Sequence, residues 1–197
     1  DGGRVAARGR TDLERLRNGE LVYAGASRTP VCALADELPF QGRPTGLAAE
    51  LFATTQDVYL ILGDLEPDPD DRSTADGRPA TRERALERLA RMVCADRESC
   101  SVDDVETLAR QADRLLLAKL VEGGRRACRE TIGAPTTAVV SGSGEFLARR
   151  AARELVGPAG VVHALGELWP EGASDAACAY ALIQLAEDQQ ARERERG

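Results

Sequence analysis

The chain has one histidine, one lysine and no paired-cysteine motif. A Ser-His-Asp triad could draw only on His163, and no neighbouring Ser or Cys motif supports one. His163 sits in "GVVHALGEL", which reads as a strand, so a structural histidine is expected there. Lys119 is the only lysine. The 26 basic residues face 33 acidic ones, for a net charge of -7. No basic stripe survives that balance, which argues against a nucleic-acid partner. No apolar run approaches the roughly 20 residues of a membrane span, and no signal-peptide pattern is present. Cys32, Cys94, Cys100, Cys128 and Cys178 form no CxxC and are odd in number, the pattern of reduced cytosolic thiols, small and buried. Cys94 and Cys100 with Asp96 or His163 offer a metal alternative. They lack the tight Cys/His pairs that zinc sites use, so no metal site is expected in this chain.

There is no internal repeat, and 197 residues suffice for one domain with a real core, or for one and a half small ones. The sequence opens on Asp1-Gly2-Gly3 rather than Met. "GRVAARGR" then reads as the second strand of a hairpin turning at those residues. The first strand is not in the sequence, so a fragment is expected.

Further along, "TDLERLRNG" carries a capping box, Thr11 with Glu14, and predicts a short helix ending at Gly19. "ELVYAG" is a candidate strand, and "SRTPVCALA" turns at Pro30 into another. "LPFQGRPTG" reads as a loop. "LAAELFATTQDVYLILG" predicts a helix that stops at Gly63, with a second capping box at Thr54 and Asp57 marking a fresh start. The acidic, Pro- and Gly-rich stretch after it predicts a long loop, disordered or functional. "TRERALERLARMVC" places Ala85, Leu86, Leu89, Met92 and Val93 on one helical face. From Ser101 the stripe Val105, Leu108, Ala112, Leu115, Leu116, Leu120 continues in phase through Cys128. It predicts one long helix, weak at Gly123-Gly124, where each glycine costs roughly 1 kcal/mol against alanine. "GVVHALGEL" and a closing helix capped by Ser174 complete the chain.

"TTAVVSGSGEFLARRAAREL" reads as strand, glycine turn, helix. The turn is neither a dinucleotide fingerprint, since Leu147 fills the sixth position, nor a Walker A loop, since no GK[ST] follows. Its plain reading is a tight strand-to-helix connection. Its functional reading is that Gly142 and Gly144 let a planar ligand lie on the backbone, with Glu145 accepting from a ribose or an amine. Gly144 in particular is expected to hold space and a backbone angle that a β-carbon would deny.

Several segments in order, "GRTDLERLRNGELVYAGASRTPVCAL", "LPFQG", "ELFATTQDVYLILGDL", "STADGRP" and "RLARMV", resemble the hydantoinase/oxoprolinase-related family linked to tetrahydromethanopterin-dependent one-carbon transfer and methanofuran biosynthesis. The resemblance runs from about Asp1 to Glu187, and "RTPV", "FATTQDVY" and "TADGRP" carry it. It implies an α/β fold: an actin-like ATPase (ribonuclease H-like) lobe, a small mixed sheet with many helices, and a helical segment at about 81–131. The sheet would hold "ELVYAG", "VCALA", "TTAVV" and "GVVHAL". The N-terminal lobe with its D-x-G-x-T hairpin would be missing.

The resemblance further implies a cytoplasmic transferase that joins a furfuryl diphosphate to a phenolic amine with release of diphosphate. Charge stabilisation would be its main catalytic term. Mg²⁺ is expected, with ligands in the missing part, and ATP or a diphosphate as substrate. The partners expected are the small-molecule substrate and either a separate N-terminal half or a second copy; no membrane is expected. The alternatives are a kinase or an ATP-dependent hydantoinase-type amidohydrolase of the same fold, or a non-catalytic assembly module. The substrate-binding candidates are Arg28, Thr29, Thr54, Thr55 and Arg78. Asp57 or Asp76 would accept the phenol proton. Gly142, Gly144 and Glu145 would meet the nucleotide or diphosphate. Helix capping by Thr54 and Asp57, and a solvent-facing turn arginine at Arg28, are the competing structural readings.

Overall fold

The computed structural model describes residues 5–131 and 133–196, and the chain divides into two compact units, Asp1–Thr131 and Ile132–Gly197. The fold is mixed α/β, with many helices and two small sheets.

In the first unit, α1 (Asp12–Arg17) forms with its predicted capping box. Thr11 Oγ1 accepts from Glu14 N at 3.2 Å and Glu14 Oε2 accepts from Thr11 N at 3.2 Å. The turn of the hairpin expected before it lies outside the described residues. Residues 1–4 lie outside the described residues, and 5–9 form no strand. The Glu20 carboxylate takes the Arg8 and Gly9 N–H groups at 2.8 and 2.7 Å, so these donors have no strand to pair with. "ELVYAG" is not a strand either. The Ala24 N–H turns back to the Val22 carbonyl at 2.9 Å. "VCALA" begins with a 3-10 turn, Val31–Ala33, after Pro30.

The segment read as a loop at 38–46 is instead a hairpin. β1 (Glu37–Phe40) pairs antiparallel with β2 (Arg43–Gly46), and Pro39 opposes Pro44 in register. Gln41 and Gly42 both have positive φ, 49° and 76°, as a two-residue type I′ turn requires. Proline argues against a central strand, but in a ribbon of two strands each proline can turn its missing N–H outward.

Only the second half of "LAAELFATTQDVYLILG" is helical. α2 (Thr55–Leu62) starts after Thr54 and ends at Gly63 in the left-handed region, φ 82°. The loop that follows is tied by Asp68 N to Ala80 O and Ala80 N to Asp71 O, both 2.9 Å. α3 (Arg82–Ala90) runs into a 3-10 turn, and α4 (Val102–Thr131) is one continuous helix across Gly123-Gly124. The core of this unit lies between α2, α3 and α4, with Val58, Leu89, Met92, Leu108 and Leu116 sealed from solvent. Tyr59 Oη donates to Asp113 Oδ1 at 3.2 Å inside it.

In the second unit β3 (Thr137–Val140) leads through the glycine turn into α5 (Glu145–Val156) and then β4 (Val161–Ala164), parallel to β3. Val140, Ala152 and Ala164 form its core, with Ala138, Ala148 and Val162 against them. The strand in "GVVHALGEL" is shorter than expected, because α6 (Leu165–Leu168) takes over. His163 is exposed on β4 and is not packed in a core. The closing helix, α7 (Ala177–Arg196), is reached through Trp169, whose ring centroid lies 4.8 Å from that of Tyr180. The expected four-stranded sheet is therefore reduced to "TTAVV" and "GVVHAL". The cysteines are not the buried thiols expected: Cys94 and Cys178 are exposed, and Cys32, Cys100 and Cys128 are half-buried.

Candidate functional site

The turn before α2 gathers three of the expected substrate-binding residues. Thr55 Oγ1 donates to the Gly25 carbonyl at 2.7 Å and accepts from Thr29 N at 3.3 Å. Thr29 Oγ1 accepts from Gly25 N at 2.9 Å. The N–H groups of Thr55 and Gln56, which open α2, go to the carbonyls of Thr29 and Ser27. A helix start normally offers such donors to anions, but here the chain itself consumes them. Arg28 rides on this turn, exposed, with no ion pair among the described residues.

Asp57 is buried and spoken for. Its Oδ2 accepts from Thr54 N at 2.9 Å, closing the cap predicted from sequence. Its Oδ1 accepts from Arg88 Nε at 2.7 Å. Arg88 is wholly buried and reaches on to Asp76, its Nη1 lying 3.1 Å from Asp76 Oδ1. Asp76 in turn accepts at Oδ2 from Arg78 Nε at 2.8 Å. Arg78 Nη1 donates to Glu87 Oε2 at 2.9 Å, and Arg84 and Arg97 pair with the same carboxylate. Two Nη2 atoms lie within ion-pair distance yet outside hydrogen-bond geometry: Arg88 at 2.7 Å from Asp57 Oδ1 and Arg78 at 2.7 Å from Asp76 Oδ2. Both arginines thus engage their carboxylate through Nε, and the Nη2 contact is coulombic.

Electrostatics separate the two aspartates. Burial pushes the Asp57 carboxyl above its ordinary range, against the pull of Thr54 N–H and Arg88. Burial also pushes Asp76 up, but hydrogen bonds from the Arg78 side chain and backbone, and the Arg88 charge, outweigh it and hold Asp76 below. Asp57 is sealed, whereas the Asp76 side chain keeps 16% of its exposure. The structure therefore brings Asp57, Asp76 and Arg78 together, through a residue that sequence reasoning missed. The signal was present: Arg88 shares the phase of Ala85, Leu89 and Met92 and so stands on the buried face of α3. Glu87, Arg91 and Arg97 carry the network to the wall of an open cavity of about 840 Å³, floored by Leu86 and Val105.

In the second unit Gly142 has φ 96°, a conformation that favours glycine, whereas Gly144 caps α5 at an ordinary φ of −97°. The backbone constraint thus falls on Gly142 rather than on the expected Gly144. The turn is latched internally. Ser174 Oγ accepts from Gly142 N at 3.1 Å and donates to Glu145 Oε2 at 3.0 Å. Gly166 N donates to the same oxygen at 2.9 Å, and a β-carbon on Gly166 would come within 3.1 Å of Glu145 Oε1. Ser174, expected only as a helix cap, fixes the glycine turn instead. Glu145 Oε1 pairs with Arg149, whose Nη2 lies 3.8 Å from it.

Among the described residues no three His, Cys, Asp or Glu side chains converge to hold a metal ion, and no helix is long and apolar enough to cross a membrane.

The model of the Hydantoinase/oxoprolinase family matches residues 3–187. The chain is similar to a protein of Methanococcus vannielii, 33% identical over 150 residues, covering 76% of this chain and 67% of the relative. It is also similar to one of Methanocaldococcus jannaschii, 41% identical over 113 residues, covering 57% of this chain and 34% of the relative. Each is named a (4-{4-[2-(gamma-L-glutamylamino)ethyl]phenoxymethyl}furan-2-yl)methanamine synthase. With matched residues spanning both units, the chain belongs to the hydantoinase/oxoprolinase family.

Proposed function

We propose that this chain is part of a cofactor-biosynthesis transferase that joins a furfuryl diphosphate to a phenolic amine. The carrying observation is that both relatives are named for a product in which a phenoxymethyl ether meets a furan ring. In the reaction the phenol oxygen attacks the furan methylene and the carbon–oxygen bond to diphosphate breaks. The electron pair leaves on diphosphate, and the phenolic proton passes to a base. Between the two candidate bases the geometry favours Asp76. Both carboxylates accept from arginines, but Asp76 is held ionised and partly exposed, while Asp57 is sealed in the interior. Arg28, uncommitted and exposed, suits a phosphate or a carboxylate of the substrate. The order β3, glycine turn, α5, β4 supports the assignment of the second unit to an actin-like lobe, with Gly142, Gly144 and Glu145, its Oε1 paired with Arg149, at the edge of the nucleotide or diphosphate. Among the described residues no three His, Cys, Asp or Glu side chains converge on a metal ion, and the steps assigned to this chain are those of its own side chains.

A second reading, a nucleotide-dependent hydantoinase-type amidohydrolase, is favoured by the family match itself. Ligand-detected NMR on the whole chain separates the two. The transferase reading expects furfuryl diphosphate to bind, and ATP alone binding would overturn it in favour of the second. Where ether formation is measured, Asp76→Asn should lower the rate on the order of 10²-fold or more, the usual contribution of a general base. An unchanged rate would remove Asp76 from the chemistry.

A further inference from the structure

A buried hydroxyl 32 positions away fastens the glycine turn of the second unit. Ser174 is 8% exposed, and tight turns on either side set its position. Ala173 N and Asp175 N donate to the carbonyls of Pro170 and Gly172, at 3.0 and 3.2 Å. The Ser174 carbonyl accepts from Ala177 N and so opens α7, which leaves the side chain for another task. Its hydroxyl lies between a group that can only donate, Gly142 N–H, and one that can only accept, the Glu145 carboxylate. The polarity of the hydroxyl is therefore fixed. It accepts at 3.1 Å and donates at 3.0 Å.

Glu145 carries the chain of contacts further. Its Oε2 accepts from Gly166 N at 2.9 Å as well as from Ser174, and its Oε1 faces Arg149. One carboxylate thus ties the start of α5 to α6 and, through Ser174, to the segment before α7. A ligand that met Glu145 directly would have to compete with these donors. Gly142, at φ 96°, adopts an angle that glycine reaches without strain, but the same backbone freedom leaves many other angles open to it. The hydrogen bond from Gly142 N to a buried hydroxyl selects one of them.

We propose that Ser174 and Glu145 are positioning residues, which act on the ligand of the glycine turn only by holding Gly142 in place. This rests on the reading above that the turn stands at the edge of a nucleotide or diphosphate. Two measurements on the whole chain test it. The first is amide exchange by NMR without ligand. Ser174→Ala should speed exchange at Gly142 and Gly166 on the order of tenfold, as expected for loss of a hydrogen bond to a charged group. Amides of β4 and of α5 around Ala152 should change little. Ser174→Thr, which keeps the hydroxyl, should retain most of the protection. Gly166→Ala should speed exchange at Gly142 from the other side, because a β-carbon there would lie 3.1 and 3.2 Å from the two Glu145 oxygens. The second measurement is calorimetric titration with furfuryl diphosphate and with ATP. Whichever binds the wild type should bind Ser174→Ala on the order of tenfold more weakly, and Ser174→Thr should recover the affinity. Unchanged exchange at Gly142 in Ser174→Ala overturns the proposal whatever binds. So does a rise spread evenly through the second unit, which would reduce Ser174 to a stability role. Affinity lost in Glu145→Ala with ligand-free exchange unchanged would make Glu145 a direct contact and overturn it too. The expected exchange pattern with neither ligand bound by the wild type would instead sink the reading of the turn, and the positioning role with it.

Discussion

Arg88 touches nothing outside the protein, yet it decides how the "FATTQDVY" and "TADGRP" segments meet. It neutralises Asp57 inside the core and reaches Asp76 at the margin. A buried pair is weak evidence for net stability, because desolvation offsets the attraction, but removing one partner alone leaves a buried charge unpaired. Arg88→Met should therefore destabilise the first unit by about 3–5 kcal/mol. Adding Asp57→Asn should return part of that loss, because the remaining amide still accepts from Thr54 N. Urea unfolding of the two single variants and the double variant measures the coupling. Additive effects would mean that the pair does not act as a unit. The sequence disclosed the cap half of the role of Asp57, since a capping box is local. Arg88 was visible only as an arginine in an apolar phase. That it finds Asp57, 31 positions earlier, is a tertiary fact that no local pattern encodes.

At the scale of elements, strongly periodic segments were legible, and extended ones only where a partner strand exists. The 30-residue α4 and the amphipathic α3 follow from their stripes. β3 follows from an apolar run bounded by the glycine turn. "ELVYAG" has strand composition but no strand to pair with, and a strand exists only as a partner in a ladder. Gly123 shows the same limit from the other side. Propensity marks it as a weak point, but the helix passes through it, because its missing side chain makes room. A β-carbon there would collide with Val22 Cγ2, so the extended segment reaches α4 only over a glycine. Gly123→Ala should then destabilise the first unit by about 1–3 kcal/mol through overpacking, although alanine gains about 1 kcal/mol in helix propensity. Val22→Ala in the same chain should restore most of the loss. Denaturant midpoints decide it, and a Gly123→Ala variant more stable than wild type would show that propensity wins and that Val22 yields.

For the molecule as a whole, the two units differ in what holds them. The first buries Tyr59, Leu60, Leu89, Met92, Leu108 and Leu116. The second buries Val140, Leu147, Ala151, Ala152 and Ala164, mostly small side chains. A fully buried leucine or methionine contributes about 1.5–3 kcal/mol, and an alanine far less. At neutral pH, amides of β3, α5 and β4 should accordingly exchange with solvent before those of α2, α3 and α4. Acid should narrow that gap, because the depressed carboxylates lie in the first unit. Asp76 and Glu87 are pushed up by burial but held below their ordinary range, Asp76 by Arg78 and Arg88, Glu87 by Arg84, Arg78 and Arg97. Backbone hydrogen bonds from Ser73 and Ser101 lower Asp71 and Asp104, and the Ser99 hydroxyl lowers Asp96. A carboxylate depressed in the folded state contributes stability above its unfolded value, about 4, and loses it as pH falls through the folded value. Asp57 has the opposite sign. Its raised value means that ionisation costs stability as pH rises, so protonation relieves the interior. One raised group against several lowered ones leaves a net loss on acidification. From pH 7 to about pH 3, protection factors should fall selectively in α2 and α3, with smaller changes in β3, α5 and β4. Hydrogen exchange read by mass spectrometry resolves the segments. An equal fall in both units would show that acid acts through the net charge of the chain, and not through the arginine network around Asp76 and Glu87.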